Sequence, residues 1–168
     1  MSSNILLHTT RFIILVLAQV FIFSHMDVLG NLNPYPYLLF VLLYPVNSNQ
    51  STFIFLSFLL GLSIDFFSDS GGIHAASCLV IAFLRPHILK FSFGVSYEYN
   101  TIKVSNTPFG SRLTYMFSLI IMHHLVLFTL EVFNISHTLL ILKTALFSSI
   151  FTILLCMIFM ILFSKKSS

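Results

Sequence analysis

The sequence is poor in charged residues. Only 8 Lys and Arg and 5 Asp and Glu occur among its 168 residues, a charged fraction of 8%. A soluble domain carries charge on roughly a quarter of its residues to keep its surface in water. Because 57% of the residues here are hydrophobic, the composition excludes a water-soluble globule and predicts one domain that lies in lipid.

Cysteine is scarce and tryptophan is absent, with two Cys and no Trp in the chain. Cys78 and Cys156 both lie inside apolar runs, where a thiol behaves as a small hydrophobic group, so no disulfide framework is predicted. The basic residues are scattered singly apart from Lys165 and Lys166. No basic stripe of the nucleic-acid-binding type results, and nucleic acid is not an expected partner.

Long apolar stretches are abundant. Crossing a bilayer takes about 20 residues, and the first, fourth, fifth and sixth stretches meet that length. The second and third are shorter, which leaves short helices, a tight helical pair or a buried re-entrant hairpin as alternatives. The sequence therefore predicts a single all-α membrane domain, 1–168, with about six transmembrane helices. They cover residues 12–29, 35–46, 52–67, 73–90, 113–133 and 138–163.

Basic residues predict the orientation, because those in short loops mark the cytoplasmic side of a membrane protein. Arg11 precedes the first span, the loop 92–112 carries two basic residues, and Lys165–Lys166 follow the last span. Six spans place all three groups on one side, so we predict that this loop and both termini are cytoplasmic. Lys143 is the exception, near the outer end of the last span, where its stem can reach outward.

Motifs of known catalysts are missing from the sequence. It contains no H-E-x-x-H, no G-x-S-x-G and no glycine-rich loop that cradles phosphate. We therefore expect neither an enzyme nor a bound cofactor or metal.

The polar residues between the third and fourth spans form the main candidate site. Asp65 lies in the outer part of the third span, and Asp69 follows at i+4, on the same face if the helix persists. Gly71 and Gly72 permit the positive φ of a tight turn, and His74 begins the fourth span. Three interpretations stay open: a polar staple between two spans, a partner-binding or conformational motif, and a proton relay or catalytic dyad.

Three more polar residues lie in the fifth span, and one lies in the fourth. His123 and His124 diverge by about 100° on a helix, so they cannot share one ligand site, and we expect hydrogen bonds to neighbouring helices instead. Glu131 follows seven residues after His124. Arg85 precedes Pro86 near the predicted cytoplasmic boundary, where its side chain can reach lipid headgroups.

Four motifs resemble those of a bacterial family, the rod shape-determining protein MreD family. The motifs are Asn33-Pro34-Tyr35-Pro36-Tyr37, Gly61-x-x-x-Asp65, Gly72-x-His74-Ala75-Ala76 and Phe83-Leu84-Arg85-Pro86. The resemblance implies a fold similar to the substrate-binding subunits of energy-coupling-factor transporters. It also implies that Asp65, Gly72 and His74 shape the outer end of a pocket or a partner contact.

The function implied by this resemblance is a non-enzymatic scaffold of the cell-elongation machinery in the bacterial inner membrane. Its implied partners are an MreC-like protein and, through it, the MreB filament, RodA and the elongation transpeptidase. The main alternative is a substrate-binding membrane subunit of a vitamin or cofactor importer, which would have nearly the same size and fold. A proton-coupled transporter built on Asp65 and the mid-membrane histidines is the third hypothesis.

Overall fold

The computed structural model describes residues 2–26, 33–94, 103–133 and 135–163. This part of the chain is helical and contains no strand, which confirms the all-α prediction. Short 3₁₀ turns precede or follow several of the helices. The six α-helices are α1 Ser2–Phe21, α2 Leu38–Leu43, α3 Gln50–Ser68, α4 Ile73–Phe93, α5 Phe109–Val132 and α6 Thr138–Phe163.

Four of the described helices, α3 to α6, are long and apolar enough to cross a membrane. They contain 19 to 26 residues, or roughly 28–39 Å at 1.5 Å per residue, against a hydrocarbon core of about 30 Å. The third predicted span is longer than the sequence suggested, because the side chain of Asn49 caps its start by accepting hydrogen bonds from Ser51 N and Thr52 N. These helices indicate a membrane-embedded protein.

The first two predicted spans differ from the structure in their bounds. The first begins before residue 12, as α1, whose apolar part is Leu6–Phe21; residues 27–29 of the prediction lie outside the described residues. The second holds only the six residues of α2, about 9 Å of helix, which does not cross a membrane by itself. The nearby prolines limit the helix because each lacks a backbone N–H.

The long helices pack as antiparallel neighbours in chain order, α3 on α4, α4 on α5 and α5 on α6, while α1 packs on α3. α3 approaches α4 closely at Gly61, where a Cβ atom would lie 2.5 Å from the carbonyl oxygen of His74. Ser57, one turn earlier, is also fully buried. The pairing of Ser57 and Gly61 therefore serves helix packing, as small residues at four-residue spacing commonly do in membranes.

Charged residues separate between the two ends of this bundle. Lys90 and Arg112 lie where α4 ends and α5 begins, and we call this the basic end. Arg11, which the sequence placed before the first span, lies midway along α1 instead. Residues Asp65 and Asp69 lie at the other end, and we call that the acidic end. Glu131 in the last turn of α5 and Lys143 near the start of α6 also lie there. α1 begins at the basic end, and α6 ends there.

Candidate functional site

A buried segment, residues 34–44, runs through the middle of the bundle along α1. Residues 34–42 are all buried, and the pairs Phe12–Phe40 and His8–Tyr44 lie with their ring centroids 5.5 and 5.3 Å apart. We call these eleven residues the central segment. Only part of it is helical, so its remaining backbone groups need partners other than lipid.

Side chains of α1 and α6 form hydrogen bonds with the backbone at the start of the central segment. The Thr152 hydroxyl on α6 accepts a hydrogen bond from Tyr35 N at 3.1 Å, and Gln19 Nε2 on α1 donates to Pro34 O at 3.4 Å. Both polar side chains are buried. Hydrogen bonds from α1 and α6 therefore hold the start of the central segment inside the bundle.

Arg85 forms a hydrogen bond with the last residue of the central segment, Tyr44. Its Nη2 donates to the carbonyl oxygen of Tyr44, its Nε donates to the Tyr115 hydroxyl at 2.8 Å, and its guanidinium lies 4.6 Å from the centroid of the Phe53 ring. The side chain is only 3% exposed. The prediction that Arg85 reaches lipid headgroups is therefore wrong. The guanidinium donates hydrogen bonds to a backbone carbonyl and a phenol hydroxyl inside the bundle instead.

Tyr37 connects two histidines at the centre of the bundle. Its hydroxyl oxygen lies 2.9 Å from Nδ1 of His74 on α4 and 2.8 Å from Nε2 of His123 on α5. Tyr37 and His123 are fully buried. Among the described residues, Nδ1 of His123 has no hydrogen-bond partner. We call these three residues the Tyr37 bridge.

The Tyr37 bridge links the protonation of its two imidazoles. A phenol has one proton, so Tyr37 donates to at most one of the two histidines. At least one of the two facing nitrogens, Nδ1 of His74 or Nε2 of His123, must therefore carry a proton and donate to the Tyr37 oxygen.

His124 belongs to a different set of hydrogen bonds. Its Nδ1 donates to the carbonyl oxygen of Ile120 at 2.7 Å, and its Nε2 lies 3.4 Å from the Thr152 hydroxyl. The rings of His123 and His124 are 5.4 Å apart and nearly perpendicular. The two histidines therefore face different partners on neighbouring elements, as the helical geometry predicted.

Asp65 and His74 do come together across the turn between α3 and α4, through the backbone. One carboxylate oxygen of Asp65 accepts from His74 N at 3.0 Å and from the Ser70 hydroxyl, and the other accepts from Ala75 N at 2.8 Å. A carboxylate at a helix N-terminus satisfies free N–H groups and matches the positive end of the helix dipole. This is the geometry of a polar staple between two spans.

The turn itself has the backbone that its glycines predicted. Gly71 and Gly72 have φ of 67° and 95°, and Asp69 has φ of 51°. Because α3 ends at Ser68, Asp69 does not stay on the helical face of Asp65, and its side chain is exposed. The condition for a shared face, a helix that persists to residue 69, is not met, and only Asp65 joins the staple.

The last polar candidate, Glu131, is exposed in the final turn of α5. The staple, the Tyr37 bridge and His124 thus form one polar core in the half of the bundle near the acidic end, and Glu131 lies at its edge. Within the described ranges, no three His, Cys, Asp or Glu side chains converge as a metal site.

Sequence reasoning missed three residues of this polar core and its surroundings: Tyr37, Tyr115 and Thr152. Each lies in an apolar stretch, where a Tyr or Thr is compatible with ordinary packing. A hydroxyl group inside a membrane span needs a hydrogen-bond partner, and this rule could have marked all three residues. The rule does not predict which histidine or carbonyl group the hydroxyl meets.

We expect Tyr37→Phe to destabilise the protein by about 1–3 kcal/mol, because it leaves buried nitrogens of His74 and His123 unpaired. The measurement is thermal unfolding in detergent. As a control, His123→Phe added to Tyr37→Phe should cost less than the two single changes summed, since both partners of one bond are then removed. Strict additivity of the two changes would contradict the bond between Tyr37 and His123.

A scan against models of protein families, a search of curated proteins and a search of solved structures each found no match to this chain.

Proposed function

We propose that the chain is a non-enzymatic scaffold of the bacterial cell-elongation machinery, of the MreD type, in the cytoplasmic membrane with both termini inside. It would bind an MreC-like partner and, through it, the MreB filament, RodA and the elongation transpeptidase. In this proposal, α1, the central segment and α3 to α6 are the six segments of a fold similar to the substrate-binding subunits of energy-coupling-factor transporters.

The proposal rests on the hydrogen bonds of the Asp65 carboxylate. Its oxygens accept hydrogen bonds from the Ser70 hydroxyl and from two backbone N–H groups at the start of α4. A substrate-binding subunit needs polar groups that converge on a ligand, whereas this carboxylate fixes the shape of a turn. A shaped turn at the end of two packed helices suits contact with another protein.

The side chains that this turn exposes supply the contact surface. Phe66 follows Asp65 directly and is 82% exposed, and Phe67 beside it is 56% exposed. Phe rings at the end of a span also suit the membrane interface, so the test must separate lipid contact from partner contact. Phe133 provides that comparison, because it is 83% exposed at the same end of the bundle, where α5 finishes.

The first experiment is depletion in a rod-shaped host. We expect the cells to become round while vitamin uptake stays normal, and expression of the intact chain to restore the rods. Rod-shaped cells that lose uptake of a vitamin or cofactor would instead identify the importer subunit and remove the scaffold proposal.

The second experiment measures co-purification with the MreC-like partner. We expect Phe66→Ala to reduce the recovered partner several-fold, and Phe133→Ala to leave it unchanged, since both changes remove an equally exposed ring. Equal recovery with both variants would exclude the turn between α3 and α4 as the contact surface.

A further inference from the structure

A groove runs along the outer surface of the bundle between α4 and α5. Its volume is about 270 Å³, and its walls are apolar. On α4 its residues lie at i, i+3, i+4 and i+7, which places them on one face of the helix. The lining residues are Leu84, His87, Ile88, Phe91 and Met122.

The groove lies in the half of the bundle near the basic end. Phe91, 77% exposed, lies in the last turn of α4, and Leu84 lies two turns deeper, where Met122 of α5 forms the opposite wall. The groove therefore starts near the membrane surface and extends toward the middle of the bilayer. This is the path that the tail of a membrane lipid follows.

His87 is the unusual member of this surface. Its side chain is exposed on a helix whose neighbouring side chains are apolar, and polar groups of that kind rarely face hydrocarbon without a partner. Lys90 lies one turn further toward the surface on the same face of α4 and is also exposed. Together they place an imidazole and an ammonium beside the shallow end of the groove.

We propose that the groove binds one acyl chain of an anionic phospholipid, with the lipid phosphate beside His87 and Lys90. Charge supports an anionic headgroup, because Lys90 and Arg112 lie at this end while the described acids, including Asp65, lie at the other. Basic residues at a membrane surface attract anionic lipid. The site is independent of the scaffold function proposed above.

The size of the groove favours a lipid tail over a partner helix. A transmembrane helix with its side chains is about 10–12 Å across, and two helices associate through a face that extends over several turns. The groove is instead confined to two turns of α4 and one side chain of α5. A single acyl chain matches that extent.

Native mass spectrometry of the purified chain tests the site, with phosphatidylglycerol and phosphatidylcholine supplied in equal amounts. We expect the intact chain to retain phosphatidylglycerol preferentially. Leu84→Trp fills the groove and should reduce that retention at least five-fold. The matched control is Phe83→Trp, at the preceding position, whose side chain is 64% exposed outside the groove lining and which should retain the lipid normally.

A second variant tests the headgroup. Lys90→Gln should lower the preference for phosphatidylglycerol about five-fold, the effect of removing one basic contact at a membrane surface. This measurement remains decisive if Leu84→Trp fails to fold. Equal retention of the two lipids by the intact chain, or equal retention of phosphatidylglycerol by the two tryptophan variants, would overturn the proposal.

Discussion

Gly61→Ala is expected to destabilise the protein by about 3 kcal/mol, at the upper end of the cost of overpacking a core. The added methyl group would lie 2.5 Å from His74 O and 2.6 Å from Cα and N of Ala75. All three are backbone atoms at the start of α4, so they cannot move aside without shifting the whole helix. Thermal unfolding in detergent should show a midpoint lower by roughly 6–12 °C.

Gly110→Ala provides the matched control for this prediction. Gly110 lies in the first turn of α5, and a methyl group there would meet nothing within 4 Å. Because Ala is a better helix former than Gly, the control should be neutral or slightly stabilising. If both variants unfold at the temperature of the intact chain, then α3 and α4 do not approach as closely at Gly61 as the structure shows.

The sequence predicted the features of the fold that depend on local patterns. Hydrophobic length located α4 to α6, whereas the third stretch, predicted as short, is the full-length helix α3. Gly71 and Gly72 marked the turn between α3 and α4 because positive φ costs glycine little. Asp65 and His74 flank that short turn, so their meeting followed from the short connection alone. The short connection does not specify which groups the carboxylate meets; in the structure it accepts from the backbone of His74 and Ala75.

The central segment was beyond the reach of local patterns. Its length resembled a short span, but its six-residue helix is stabilised by polar contacts from distant parts of the chain. Tyr37 is 37 residues before His74 and 86 before His123, and no periodicity encodes such a pairing. Arg85 was misplaced for the same reason, since charge alone pointed to the membrane surface. Only the fold shows that the Tyr44 carbonyl and the Tyr115 hydroxyl accept its hydrogen bonds.

Asp65→Asn is expected to destabilise the protein by about 2–3 kcal/mol, the cost of losing a hydrogen bond to a charged group in a buried place. The carboxylate accepts from His74 N and from Ala75 N through its two oxygens. An amide offers only one oxygen, so its NH₂ group would face one of these N–H groups and leave a buried donor unpaired. The neutral side chain would also lose its attraction to the positive end of α4.

Asp69→Asn is the matched control, because it removes an acid at the same turn but from an exposed position. Asn tolerates the left-handed backbone of residue 69 as well as Asp does, so the control should change stability by no more than about 0.5 kcal/mol. The unfolding midpoints of the two variants show whether the hydrogen bonds of the Asp65 carboxylate stabilise the fold. If Asp65→Asn is as stable as Asp69→Asn, the staple contributes nothing to the stability of the fold.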